Sequence, residues 1–344
     1  ETPKITFSIV VPYRNEVGNL PNLLKSFRNL NYLSDLFEII LVNDASEDAS
    51  EKICRDFKKK CKNLNIICCN SVRKSISPKK DAIATAIEIA RHKYILTTDA
   101  DCTVPKNWLI QLDSYIQATS AALIAGPVAI SLENEKNKFL KHFQELDFLS
   151  LQMATMGGFG LKNPFLCNGA NLCYEKQSFL KVNGFEGNEN IASGDDIFLL
   201  EKFRKAGLKC GFLRSHQAFV HTAPQAHLKA LASQHVRWAA KTSAYKNVFG
   251  KSVGLLVLAM NLGLVITFFL MVFGFFPGKI LFFFFVLKFN IDLLLLFTGL
   301  DFFGREKLLK HYFWSSFVYP FFSSYVALAS LFLGYRWKGR FFGK

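Results

Sequence analysis

Apolar runs bounded by polar residues recur through the first hundred positions with the length of strands: Phe7 to Val11, Phe37 to Val42, Asn65 to Cys69 and Tyr94 to Thr98. Between them, Asn19 to Leu30, Ser50 to Cys61 and Lys79 to His92 place apolar residues at helical spacing. Strands alternating with helices predict an α/β fold, a mostly parallel sheet with helical crossovers. Helix starts are marked by Asn19 before Leu20 and Pro21, and by Thr103 before Val104 and Pro105. Ala121 to Ile130 predicts a further strand, and Asn134 to Met153 a long polar helix. Gly157, Gly158 and Gly160, then Gly169 and Gly184, predict mobile loops around a site. Gly194 to Lys205 predicts a helix opened by Asp195 and Asp196, and Gln225 to Phe249 a basic amphipathic helix at a membrane surface.

The pattern then changes. Of 36 Phe in the 344 residues, 20 follow Ser252. Three apolar runs, Val253 to Phe276, Ile280 to Leu300 and Phe313 to Gly334, each have the roughly 20 residues needed to cross a hydrocarbon layer. Two or three membrane helices are expected. The middle run carries Lys288, Asn290 and Asp292, which are costly in lipid unless they face protein, water or each other. The expected division is a catalytic α/β domain over residues 1–224, an interfacial helix over 225–252 and a membrane region with a basic tail over 253–344.

A net charge of +15 suits nucleic acid in general, but its placement points to a membrane. From Lys202 to Lys251 there are ten Lys or Arg and no acidic residue, directly before the first apolar run. That is the signature of a cytosolic flank, so no nucleic-acid partner is expected. The eight cysteines lack zinc spacing and disulfide-scaffold density, which fits reduced thiols in the cytosol. The chain opens on Glu1 with no signal-type segment, which leaves room for an upstream piece.

In open parallel sheets ligands gather beyond the carboxyl ends of the strands. Polar clusters stand at those ends: Tyr13, Arg14, Asn15 and Glu16, then Asn43 and Asp44, then Asp99 and Asp101 of TTDAD. Two carboxylates one residue apart can hold a hard divalent cation that also binds phosphate oxygens. No GxGxxG follows the first strand, which argues against a dinucleotide site. His216 and His221 read as structural rather than as metal ligands.

SIVVPYRNE (Ser8 to Glu16), LVNDASED (Leu41 to Asp48), TTDAD, SGDD (Ser193 to Asp196) and QHVRW (Gln234 to Trp238) together resemble glycosyltransferase family 2 of the GT-A fold, over roughly Ile5 to Lys241. The resemblance implies a nucleotide-sugar wall at Pro12, Tyr13 and Glu16, a base contact at Asp44 and a nucleotide contact at Lys80. It implies Mg²⁺ or Mn²⁺ on Asp99 and Asp101, with Asp99 also at the donor, and Asp196 as the catalytic base. Gln234, Arg237 and Trp238, which share one helical face, would close over the donor. Two departures stand out: Lys79 where the family often has Gly, and Asp195 where it usually has Glu.

The activity so implied is an inverting, metal-dependent transfer from a nucleotide-sugar, UDP-linked by expectation, to an acceptor such as a lipid or lipid-linked glycan. The expected location is the cytosolic face of the cell (inner) membrane, as a multi-pass protein. The rival expectations are a processive polysaccharide synthase, since QxxRW is frequent there, and a nucleotide-sugar-binding subunit without turnover. Three spans would put the basic tail, Arg336, Lys338, Arg340 and Lys344, on the far side, against the positive-inside tendency.

Overall fold

The computed structural model describes residues 2–131, 138–337 and 340–342. The expected helix start at Asn134, and Lys338 and Lys344 of the tail, lie outside the described residues. The chain forms two compact units: one runs to Ser131 and resumes over Pro164–Ala223, and the other takes the intervening helix and everything from Pro224.

In the first unit, β1 (Phe7–Tyr13), β2 (Phe37–Asn43), β3 (Ile66–Asn70) and β4 (Tyr94–Thr97) lie parallel, joined through α1 (Leu20–Arg28), α2 (Ser50–Lys60) and α3 (Pro78–Ile89). Every residue of β2 is buried, which explains why it reads as a continuous apolar run. After β5 (Cys102–Thr103) and α4 (Trp108–Thr119) come β6 (Leu123–Ala125) and β7 (Val128–Ile130), then β8 (Leu172–Glu175), α6 (Lys176–Lys181), α7 (Asp195–Lys205), β9 (Cys210–Phe212) and β10 (Val220–Thr222). The main sheet has the order β3-β2-β1-β4-β8-β6-β9, with only β8 reversed. A small sheet, β5-β10-β7, stands beside it.

The single strand expected from Ala121 to Ile130 is two strands in different sheets. Gly126 and Pro127 interrupt it, and the corner is held by Asn171. Its side-chain amide donates to the carbonyls of Pro127 and Ala218, both at 2.9 Å, while its oxygen accepts from Trp108 Nε1 at 2.9 Å. A Cβ on Gly126 would stand 2.3 Å from that amide, so glycine is required there.

In the second unit α5 (Lys138–Gly160) is a continuous helix, and Gly157, Gly158 and Gly160 belong to it rather than to a loop. The helix stops where Lys162 turns left-handed (φ 56°) ahead of Pro164. The helix expected over Gln225 to Phe249 is also interrupted. α8 (Leu228–Ala239) ends, a short turn follows, and Asn247 caps α9 (Val248–Val272) by accepting from Gly250 N at 3.1 Å. α10 (Gly278–Phe302) and α11 (Leu309–Phe332) follow, then the hairpin β11 (Tyr335–Trp337) and β12 (Arg340–Phe342). Among the described residues, three helical segments are long and apolar enough to cross a membrane: Val248–Val272, Gly278–Phe302 and Glu306–Phe332. Lys288 and Asp292 satisfy each other as an ion pair one turn apart, and Asn290 donates to the carbonyl of Val286. All eight cysteines are free thiols.

Candidate active site

The parallel register aligns the strand ends, with Tyr13 beside Asn43 and Val10 beside Thr97, so the β1, β2 and β4 loops emerge on one rim. Asn15 and Ala45 turn there with positive φ (51° and 53°), a conformation that costs free energy for a residue with a Cβ. Arg14 holds the β2 loop: Nη1 donates to the carbonyls of Asp44 (3.0 Å) and Ala45, and Nη2 pairs with Glu47 at 2.6 Å. Glu16 is buried, with its N–H on Ser50 Oγ at 2.8 Å and its carboxylate accepting from Asn19 Nδ2 at 2.7 Å.

Pro12 is half-buried, but the Tyr13 side chain is only 2% exposed and turned into the core. Burial, then the nearby Cys54 thiol, pushes its hydroxyl pKa up. Asp44 sits at the rim with its carboxylate paired to Arg73, whose other terminal nitrogen lies 3.8 Å from Asp81. Arg73, on the loop after β3, was not singled out from sequence. Nothing in its local pattern separates it from a solvated base.

Asp99 and Asp101 follow β4. The Nζ of Lys79, at the start of α3, lies 2.7 Å from Asp99 Oδ1 and 3.3 Å from Asp195 Oδ2. Burial alone would lower the Lys79 pKa, but the carboxylates of Asp195, Asp99 and Asp196 outweigh it and raise it, so the ammonium stays charged. Lys80 points elsewhere. Its Nζ donates to the carbonyls of Asn188 (2.6 Å) and Ile191 (2.8 Å) and lies 5.1 Å from the centre of the Phe198 ring. Of the two adjacent lysines, the one passed over in the sequence joins the carboxylates.

Gly194, in a left-handed conformation (φ 84°), places Asp195 and Asp196 on the first turn of α7. Asp196 is oriented by two backbone amides: Oδ1 accepts from Ile197 N (2.8 Å) and Oδ2 from Gly169 N (3.2 Å). Gly169 is tied to β4 because its carbonyl accepts from Thr97 Oγ1 at 2.7 Å. A Cβ there would come within 3.1 Å of Asp195 Oδ2 and 3.2 Å of Lys79 Nζ. The glycine thus lets the turn approach the acidic pair.

Asp99 and Asp101 offer carboxylate oxygens suited to Mg²⁺ or Mn²⁺. Among the described residues no group of three or more His, Cys, Asp or Glu side chains forms a metal cage. A cation held by these two aspartates therefore fits a site completed by phosphate oxygens and water. Burial first, then Asp101 and Asp99, raises the Cys102 thiol pKa well above its usual value, so it supplies no thiolate. His216 stacks edge-on against Phe219 at 6.0 Å, and His221 lies in β10 opposite Thr103.

In the second unit Gln234, Arg237 and Trp238 lie on α8, all half-buried. Trp238 packs 6.5 Å from Phe148 and 4.9 Å from His235. His235 Nε2 is 2.6 Å from Asp147 Oδ2, an ion pair between α8 and α5. Burial would lower the His235 pKa, but Asp147 outweighs it and raises it.

Residues 8–179 match the family model "Glycosyl transferase family 2", and residues 94–333 match "Glycosyl transferase family group 2". The chain is 26% identical over 127 residues to Glycosyltransferase AglE of Haloferax volcanii, covering 37% of this chain and 40% of that one. It is 31% identical over 121 residues to the poly(ribitol-phosphate) beta-glucosyltransferase of Bacillus spizizenii, covering 35% and 18%. These matches thus span less than half the length of the relatives. Among solved structures, the mannosyltransferase PcManGT of Pyrobaculum calidifontis, in complex with GDP-Man and Mn²⁺, superposes with a TM-score of 0.57 at 14% identity, over 96% of this chain and 89% of that one. That likeness shows a GT-A-type fold, in keeping with the mostly parallel sheet. With the family model matched across half of the chain and the group model running on to residue 333, the chain belongs to glycosyl transferase family 2.

Proposed function

We propose that the protein transfers a sugar, with inversion, from a nucleotide-sugar to a hydroxyl or phosphate of an acceptor at the cytosolic face of a membrane. The observation that carries this reading is the Lys79 bridge. One ammonium touches Asp99 of the TTDAD segment and Asp195 of the acidic pair, which supports a reading in which the residues for the leaving diphosphate and for the acceptor share one site.

Asp196 takes the proton of the acceptor hydroxyl as its oxygen bonds the anomeric carbon, while the bond from that carbon to the diphosphate oxygen breaks. General-base help of this kind contributes about 10²- to 10⁴-fold. The amides of Gly169 and Ile197 keep the carboxylate oriented for the transfer. Asp44 holds the base of the nucleotide beside Pro12 and Glu16, while Tyr13, turned into the core, and Lys80, on the Asn188 and Ile191 carbonyls, support that wall from behind. When bound by Asp99 and Asp101, Mg²⁺ or Mn²⁺ neutralises charge on the departing diphosphate. Gln234, Arg237 and Trp238 carry over from the family pattern as donor-binding residues, Arg237 through its planar fork of donors.

A lipid or lipid-linked acceptor suits a site anchored to a bilayer through apolar helices. UDP-sugars are the first donors to test, with GDP-mannose, the ligand of the Pyrobaculum enzyme, beside them. The test is a donor panel with membrane lipid extract and Mg²⁺ or Mn²⁺, which reads the nucleotide released and the lipid modified. Release of a nucleoside diphosphate with one sugar added to a lipid supports the reading. A ladder of long glycans makes the enzyme a processive synthase, and no turnover with any donor overturns the transferase assignment.

A further inference from the structure

α3 opens on two consecutive lysines, and the fold gives them opposite settings. Lys80 is 2% exposed, with its ammonium on the Asn188 and Ile191 carbonyls and over the Phe198 ring, so it reaches a ligand only by abandoning all three. Lys79 is turned to the carboxylates. Its Nζ lies 2.7 Å from Asp99 Oδ1 and 3.3 Å from Asp195 Oδ2, and 16% of the side chain is exposed. A Cβ on Gly169 would stand 3.2 Å from that nitrogen, which places the ammonium against the turn whose N–H orients Asp196. Lys79 thus occupies the ground between the aspartate read as the donor's and the pair read as the acceptor's.

Charge decides what it does there. Asp195, Asp99 and Asp196 all act on the ammonium, and Asp101 follows Asp99 by two residues. A donor diphosphate brings further negative charge into this acidic ground, which repels it unless a cation meets it. A divalent ion shared by Asp99 and Asp101 offsets those two carboxylates and leaves the diphosphate and the acidic pair for other groups to meet. An ammonium offers three N–H donors, two of which the carboxylate contacts engage. When Asp99 turns to the divalent ion, Lys79 regains a donor while Asp195 still tethers it. Its compact charge on a flexible stem then suits a phosphate oxygen. The first turn of α3, from which Lys79 springs, adds the positive end of the helix dipole.

We propose that Lys79 is a catalytic residue of the transfer: on donor binding its ammonium passes from Asp99 to the β-phosphate of the nucleoside diphosphate and stays tethered to Asp195. The bond from the anomeric carbon to the phosphate oxygen breaks with its electron pair left on that oxygen. The ammonium donates a hydrogen bond to the departing phosphate and keeps its proton, since its positive charge is what stabilises the group that leaves. Asp196 holds the proton taken from the acceptor, so atoms and charge balance. The donor is the one read under Proposed function, on which this inference rests.

The test uses the full chain in detergent and probes that differ by one phosphate. UDP and UMP, with GDP and GMP as a second pair, are titrated by calorimetry at saturating Mn²⁺ into the unsubstituted chain, Lys79→Met and Lys79→Arg. Mn²⁺ binding without nucleotide is read by electron paramagnetic resonance. Lys79→Met is expected to weaken diphosphate binding by roughly tenfold to hundredfold, the worth of one charge-assisted hydrogen bond, and to leave the monophosphate within about twofold. The same variant binds Mn²⁺ more tightly, and Lys79→Arg keeps most of the diphosphate preference. Equal losses for diphosphate and monophosphate overturn the assignment, as does an unchanged diphosphate affinity. Weaker Mn²⁺ binding together with weaker binding of every nucleotide marks Lys79 as a structural bridge and overturns it too. If Lys79→Met melts early, Lys79→Gln, which keeps a polar group beside Asp195, carries the same expectation. No binding of either diphosphate by the unsubstituted chain overturns the nucleotide-sugar reading itself, and the assignment with it.

Discussion

Lys79 Nζ stands 2.7 Å from Asp99 Oδ1, which gives the candidate metal site a resident cation before any ion arrives. In the proposed mechanism, divalent metal and ammonium would compete for the same carboxylate. Removing a charge-assisted bond worth about 1.5–3 kcal/mol should let Lys79→Met bind Mn²⁺ roughly tenfold more tightly or better. The same variant leaves Asp195 without its bridge, so turnover should fall while Lys79→Arg keeps part of it. Metal titrations of activity, set beside direct Mn²⁺ binding, check both halves.

Asp196→Asn should lower kcat by about 10²- to 10⁴-fold and leave donor affinity nearly unchanged, because in the proposed mechanism the group acts on the acceptor. Nucleotide binding by calorimetry beside single-turnover transfer reads the split. Full activity in this variant would remove Asp196 from the mechanism.

Gly169→Ala tests the same site without replacing a carboxylate. The added methyl, 3.1 Å from Asp195 and 3.2 Å from Lys79, must displace one of them. Transfer should drop about tenfold or more, the equivalent of roughly 1.4 kcal/mol of lost transition-state stabilisation, with the thermal melt little changed. An active Gly169→Ala enzyme would mean that the acidic pair tolerates movement.

Asp44→Ala should raise the KM for the donor about tenfold while kcat changes less, because the interaction removed is made equally in ground and transition states. Arg73→Ala should have a weaker effect in the same direction, since Arg73 holds the Asp44 carboxylate in place. Steady-state kinetics over a donor titration separates the two parameters.

The His235–Asp147 pair gives the second unit a dependence on pH. The His235 pKa is raised in the folded protein, so its stabilisation is complete below the unfolded value of about 6.5 and fades as pH rises through the folded value. Arg237 opposes the shift and Leu231 O, which accepts from the ring, supports it. Thermal melts in detergent should fall with rising pH across this range, and His235→Gln should flatten that slope. A parallel decline in the variant would assign the effect to other groups.

Of the first four strands, β1, β2 and β4 were legible because almost every residue in them is buried, and the edge strand β3 as a short apolar run, while α1 and α2 each show one apolar stripe. Gly126 and Pro127 divide the next apolar run, and both halves are buried, so hydropathy alone hid the corner. The glycines of α5 read as a loop because each costs about 1 kcal/mol in a helix, yet the helix continues through them to Gly160. Asn247 was a visible cap that an uninterrupted amphipathic reading passed over. Within the site, the aspartates were legible from their places at strand and helix ends. Lys79 was not, because a lysine at a helix start reads as solvated until the carboxylates around it are known.

Asn171 and Gly126 form a single packing unit. The amide fills the space a side chain at 126 would take, and it also joins Trp108, Pro127 and Ala218, residues distant in the sequence. A chimera that imports the segment ending in Asn171 from another transferase must bring the corner at residues 123–130 with it. Exchanging either part alone would leave two chain segments contesting one volume.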